Sequence, residues 1–121
     1  VAALRDVYSR LLPGGRAAFW VPAFPVLWTG LDERVGHVRR YTRASLHRAF
    51  ELAGFVVERV QHQDSLGFFA TLGVKWLRRD VTLSASSVRL YDRALFPVSR
   101  LIDRWAWPLV GKNLLIVARR P

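Results

Sequence analysis

The segment that most restricts the fold is Leu11-Leu12-Pro13-Gly14-Gly15-Arg16-Ala17-Ala18-Phe19-Trp20-Val21-Pro22. Proline cannot continue a helix, and glycine reaches the positive φ that closes one. Pro13-Gly14-Gly15 therefore reads as a helix end followed by a tight turn. Ala17–Val21 is then apolar at every position and stops at Pro22. An apolar run without alternation is the pattern of a strand covered on both faces, as in a parallel sheet flanked by helices. A turn of buried helix would also suit such a run, but the flanking Gly-Gly and Pro favour the strand. An α/β layered fold follows, with this strand as an interior member of its sheet.

At 121 residues and 51% hydrophobic, the chain has room for one small domain, residues 1–121, and enough apolar surface for a core. It has no cysteine, so a disulfide framework and zinc–cysteine sites are excluded. No uninterrupted apolar stretch reaches the length of a transmembrane helix, and no signal peptide is read, so a cytoplasmic location is expected. Val1 opens directly in a helical pattern and Met is absent, which looks like a piece of a longer protein. The net charge is +10, almost all from arginine. Scattered arginines suit solvated faces; they also suit an anionic partner such as a phosphate-bearing substrate, a membrane surface or nucleic acid.

Along the chain, Val1, Leu4, Val7/Tyr8 and Leu11 fall at helical spacing, which predicts a helix over Val1–Leu12. Pro22–Tyr41 is a long connection holding Pro22, Pro25, Gly30, Gly36 and the cluster Asp32-Glu33-Arg34…His37…Arg39-Arg40. Connections this long in a compact domain are usually functional or disordered, and Phe24, Leu27 and Trp28 are too apolar for disorder. The loop leaves the carboxyl end of the strand, where ligands bind in open α/β sheets. Thr42 is an N-cap without the usual acidic residue three positions on, so no full capping box is expected. A helix follows through Leu46, Ala49/Phe50 and Ala53, with Gly54 at its end. Phe55–Gln61 reads as a second strand. Helical patterns recur about Phe68–Trp76 and from Ser84 to Trp105, where Pro97 should end or kink the helix. Asn113–Ala118 is a last apolar strand.

These residues, taken together, resemble the carboxy-terminal half of class I S-adenosylmethionine-dependent methyltransferases. The likeness is carried by L-L-P-G-G-R before an apolar strand ending in V-P, by Leu31-Asp32, and by Gly36-His37-Val38-Arg39-Arg40-Tyr41-Thr42. Ala53-Gly54-Phe55 and the closing run Gly111–Pro121 complete it. The resemblance implies the end of a Rossmann-like sheet, with two parallel strands and an antiparallel last strand inserted between them. Flanking helices and a helical insertion at about 66–109 would complete the unit. It also implies methyl transfer from S-adenosylmethionine to a small-molecule or lipid-linked acceptor. The family's Gly-rich cofactor turn is absent, so no cofactor-binding residue is expected in this chain, which alone would bind S-adenosylmethionine weakly or not at all. One edge of the Ala17–Val21 strand would then be left unpaired, an aggregation hazard.

Several residues are candidates for chemistry. His37 could serve as a catalytic general base, because imidazole titrates near neutrality, or simply as a hydrogen-bonded loop residue. Arg39 and Arg40 could clamp an acceptor's phosphate or carboxylate, or could pair with Asp32 and Glu33 to fix the loop. Trp28 and Tyr41 could line an acceptor pocket or belong to the core. His47 and His62 have no metal-ligand spacing, so no metal is expected. Phe68, Phe69, Leu72, Trp76, Trp105 and Trp107, with Lys75, Arg78, Arg79, Arg100 and Arg104, could form a membrane-interface surface or an ordinary helical cover. The alternative function is a basic, non-enzymatic module that binds an anionic membrane or nucleic acid; no nucleic-acid motif is present.

Overall fold

The computed structural model describes residues 1–77, 84–106 and 109–121. Helix α1 spans Ala2–Arg10 and strand β1 spans Arg16–Pro22. Between them Gly14 adopts φ +79°, the conformation that Pro13-Gly14 foretells. The turn is fastened to the end of the chain: Gly14 N–H donates to the Arg120 carbonyl, and Arg120 N–H to the Gly15 carbonyl, each at 2.8 Å. Arg120 also donates to the Leu11 carbonyl at 2.6 Å and lies 4.8 Å above the Tyr8 ring. Its charge thus meets the carbonyl end of α1, where a cation is stabilised.

The sheet has three strands. β3 (Asn113–Arg119) lies between β1 and β2 (Val56–Gln63) and runs antiparallel to both, so the two outer strands point the same way. Ile116 pairs with Phe19 on one side and with Val60 on the other, and it is fully buried. Helix α3 (Arg43–Leu52) supplies Leu46 and Phe50 to this core, and α1 adds Leu4, Val7 and Tyr8. The Phe50 ring meets Phe19 edge-on at 5.1 Å and Phe55 at 5.3 Å. Each such side chain, once buried, stabilises the fold by roughly 1.5–3 kcal/mol.

Only one face of the sheet is covered in this way, against the expectation for Ala17–Val21. Phe19 and Val21 are shielded while Ala18 and Trp20 are exposed, so β1 alternates despite its unbroken apolar sequence. The reason is that α1 and α3 both pack on the same side. On the opposite face, helix α6 (Phe96–Ala106) comes alongside only the carboxyl half of β2, leaving a groove of about 440 Å³ bordered by Arg59, Gln61 and Gln63. The free edge of β1 pairs with no other strand among the described residues, apart from a single Ala23–Tyr41 bridge.

Two local details differ from the sequence reading. Thr42 does form a capping box, with Ser45 in place of an acid: Ser45 N–H donates to Thr42 Oγ1 at 3.1 Å, and Thr42 N–H to Ser45 Oγ at 2.9 Å. A serine hydroxyl accepts as a carboxylate would, over a shorter reach. Pro97, expected to end or kink its helix, does not end it. α5 (Ala85–Leu90) passes through a π turn at Tyr91–Leu95 into α6 (Phe96–Ala106), and a wider turn accommodates a proline that cannot donate. α4 spans Ser65–Trp76. Arg78, Arg79 and Trp107 lie outside the described residues. Among the described residues, no helix is long and apolar enough to cross a membrane.

The carboxyl end of α3 closes on Gly54 at φ +98°. Phe55 N–H donates to the Phe50 carbonyl (3.1 Å) and Gly54 N–H to that of Glu51 (2.9 Å). A Cβ on Gly54 would stand 3.2 Å from the Tyr8 ring. Gly54→Ala should therefore cost about 1–2 kcal/mol, read by chemical denaturation. Gly30→Ala, whose Cβ meets open space, should cost nothing; equal losses would contradict this account of the turn.

Candidate functional site

The connection from β1 to α3 is built rather than loose. It contains a short 3₁₀ turn, Pro25–Leu27, and the short helix α2, Gly30–Arg34. Its two ends meet, because Phe24 N–H donates to the Tyr41 carbonyl (2.8 Å) and Tyr41 N–H to the Pro22 carbonyl (2.9 Å). The whole connection therefore stands as a closed loop at the carboxyl end of β1.

Asp32 is its centre. It occupies the third position of α2 and its carboxylate accepts from the Thr29 N–H at 2.9 Å. Its residue exposure is only 1%. Arg40 reaches it with Nε at 2.9 Å and Nη2 at 3.2 Å, while Nη1 donates to the Ala23 carbonyl at 2.9 Å. Gly36, at φ +77°, turns the chain after α2. That turn brings His37 Nδ1 to 2.9 Å from Asp32 Oδ1. Burial pushes the Asp32 carboxyl up, but hydrogen bonds from His37, Thr29 and Arg40 and the guanidinium charge outweigh it, and the group lies below the ordinary carboxylate range.

The arrangement fixes what His37 can do. A carboxylate can only accept, so Nδ1 carries the proton of this hydrogen bond, and in the neutral ring the lone pair falls on Nε2. The side chain is 39% exposed, and Nε2 lies on the ring edge away from the Asp32 contact. This is the geometry of a general base oriented by a buried acid.

The other candidates separate. Arg40 is one of the buried residues and is held by Asp32 and Ala23, so its role is to fix the loop. Arg39 is exposed; its Nε donates to the Tyr41 hydroxyl at 2.7 Å and its guanidinium sits 4.9 Å over the Tyr41 ring. Arg39, Arg40 and Tyr41 border a cleft of about 420 Å³ against α3, with Ser45 and Arg48 on the far wall. Trp28 is half-buried at the end of the 3₁₀ turn and does not line that cleft, and neither does His37.

His62, at the carboxyl end of β2, stacks on Phe24 at 4.9 Å with the rings nearly parallel. Burial, together with the charge of Arg43, holds its pKa below the usual imidazole value despite a backbone hydrogen bond with Gly111. It is thus a neutral ring packed into the base of the loop. His47 pairs with Glu51 one helical turn on. No group of metal-binding side chains is found among the described residues. Comparison with protein-family models, with characterised proteins and with solved structures finds no match to this chain.

Sequence reasoning placed His37 and the arginines in one loop but did not name Asp32 as the histidine's partner. A signal was available: Thr29-x-x-Asp32 is a helix-start pattern that turns the carboxylate back, and Gly36 permits the reversal that follows. Removing one member of a buried charge pair costs about 3–5 kcal/mol. Arg40→Ala should show a loss of that size by denaturation at neutral pH, whereas exposed Arg39→Ala should lose under about 0.5 kcal/mol. The Asp32 carboxylate is held below its unfolded value, so its stabilisation is present above about pH 4 and lost as pH falls further. The gap between wild type and Arg40→Ala should therefore narrow in acid; a gap independent of pH would contradict the pairing.

Proposed function

We propose that this chain is the acceptor-side part of a class I methyltransferase, which moves a methyl group from S-adenosylmethionine to a small-molecule or lipid-linked acceptor. The observation that carries the reading is the sheet: the last strand lies between two strands of common direction and runs against both. That is the strand order implied by the sequence resemblance, and the charged loop stands at the carboxyl end of β1, where an acceptor would be held. The unpaired edge of β1 suits further strands of a larger sheet.

The described residues do not fit S-adenosylmethionine itself. Gly14-Gly15, the chain's one glycine pair, precedes a strand instead of following one, and it opens no helix. The cofactor site would accordingly lie in sequence outside this chain. What this chain supplies is positioning and a base. With an acceptor hydroxyl against His37, Nε2 takes the proton and the buried Asp32 carboxylate stabilises the imidazolium that results. Such a base contributes typically 10²–10⁴-fold in rate, the remainder coming from alignment of the reacting groups.

The test begins with the sequence encoded upstream of Val1, where a strand followed by a Gly-rich turn is expected. With that longer protein, His37→Gln should lower methyl transfer by at least about a hundredfold while leaving S-adenosylmethionine affinity, read by calorimetry, unchanged. An upstream region without such a turn would end the methyltransferase reading, and full activity in His37→Gln would remove the base.

A further inference from the structure

We propose that α4–α6 attach this protein to the surface of an anionic lipid bilayer, with α6 as the element that inserts. α6 is turned with its polar side to the protein. Its polar stripe faces inward: Ser99 Oγ donates to the Asp64 carboxylate at 3.0 Å, and Asp103 accepts from the N–H groups of Asp64 at 2.7 Å and Ser65 at 2.9 Å. Ser99 and Asp103 are buried. The apolar stripe, Val98, Leu101, Ile102 and Trp105, follows helical spacing and is exposed along its length, Leu101 by 62% and Trp105 by 85%.

A helix of a water-soluble surface normally does the reverse, burying its apolar stripe and wetting its polar one. Here hydrogen bonds to the start of α4 hold the helix the other way round. α4 packs against α6, and the neighbouring elements expose further large apolar residues, Phe69, Leu72, Leu95 and Trp76, the last 89% exposed. So many exposed apolar side chains on two packed helices mark a contact site rather than scattered surface residues. A face with Leu, Ile and Trp, backed by arginines on the polar side, is the pattern of a helix lying in the membrane interface.

Charge selects a bilayer over a second copy of the chain. Among the described residues of α4–α6 and the intervening π turn, Arg89, Arg93, Arg100 and Arg104 are exposed, against Asp92 as the one exposed acid. Two copies joined through this face would bring together chains of net charge +10 each, which repel. An anionic lipid surface attracts the same arginines and takes up the apolar stripe. At 11 residues, α6 lies in the interface and does not cross. The inference stands on these helices alone and is independent of methyl transfer.

The experiment is co-sedimentation of the full chain with phosphatidylcholine vesicles, with and without phosphatidylglycerol, comparing wild type, Leu101→Gln/Trp105→Gln and Leu12→Gln. All three substituted residues are exposed, so folding, checked by circular dichroism, should be preserved. Wild type should bind the phosphatidylglycerol vesicles, the double variant at least roughly tenfold more weakly, and Leu12→Gln as well as wild type. Wild type should also show a blue shift of tryptophan emission that the double variant lacks. Absence of vesicle binding would overturn the proposal, as would equal binding by the double variant. So would self-association in sedimentation equilibrium that the double variant abolishes while vesicles remain unbound.

Discussion

The Asp32–Arg40 pair governs the shape of the functional end of this molecule. A carboxylate removed from water is unfavourable by several kcal/mol unless its lone pairs are satisfied. Here Arg40, Thr29 and His37 together satisfy them. Arg40 also holds the Ala23 carbonyl, so the pair joins the far end of the loop to the end of β1. The histidine is then oriented by a group whose own position is over-determined. Loss of the arginine would leave the buried carboxylate without its charge partner and loosen the loop that orients the imidazole.

The sheet is equally dependent on one late element. β3 follows both other strands in sequence and lies between them in space, so β1 and β2 have no shared partner until it is in place. Both of its ladders close contacts of high sequence separation, which must be reached against loop-closure entropy before they reward it. The arrangement explains why the closing residues are so firmly tied. Arg120 engages the turn before β1 and the carbonyl end of α1 at once, and Gly111 approaches Gln63 too closely to admit a side chain.

Much of this was legible from residue types. The Pro13-Gly14-Gly15 turn, Thr42 and Gly54 as helix boundaries and the two apolar end strands follow from local backbone chemistry, and each stands close to where that chemistry puts it. The failures are non-local. Ala17–Val21 reads as covered on both faces because an apolar run cannot report which face a helix will choose, and both α1 and α3 chose the same one. Ser45 is not legible as a capping partner because its hydroxyl is a weaker signal than an acid. Asp32 stood in view within a charged cluster, yet its burial depends on a turn at Gly36 and a guanidinium eight residues away. The inward polar stripe of α6 was invisible, since a helical pattern shows that a helix has two faces and not which one the protein keeps.

The loop and the outward stripe are opposite uses of one rule, that a polar group leaves water only when partners await it. Asp32 has them and goes inside; Ser99 and Asp103 have them and turn an apolar stripe out. The most direct measurement is of the His37 ring by ¹⁵N-resolved NMR at neutral pH. The account predicts that the neutral ring carries its proton on Nδ1, with loss of that tautomer preference in Asp32→Asn. A ring protonated at Nε2, or one averaging freely between the two forms in the wild type, would contradict it.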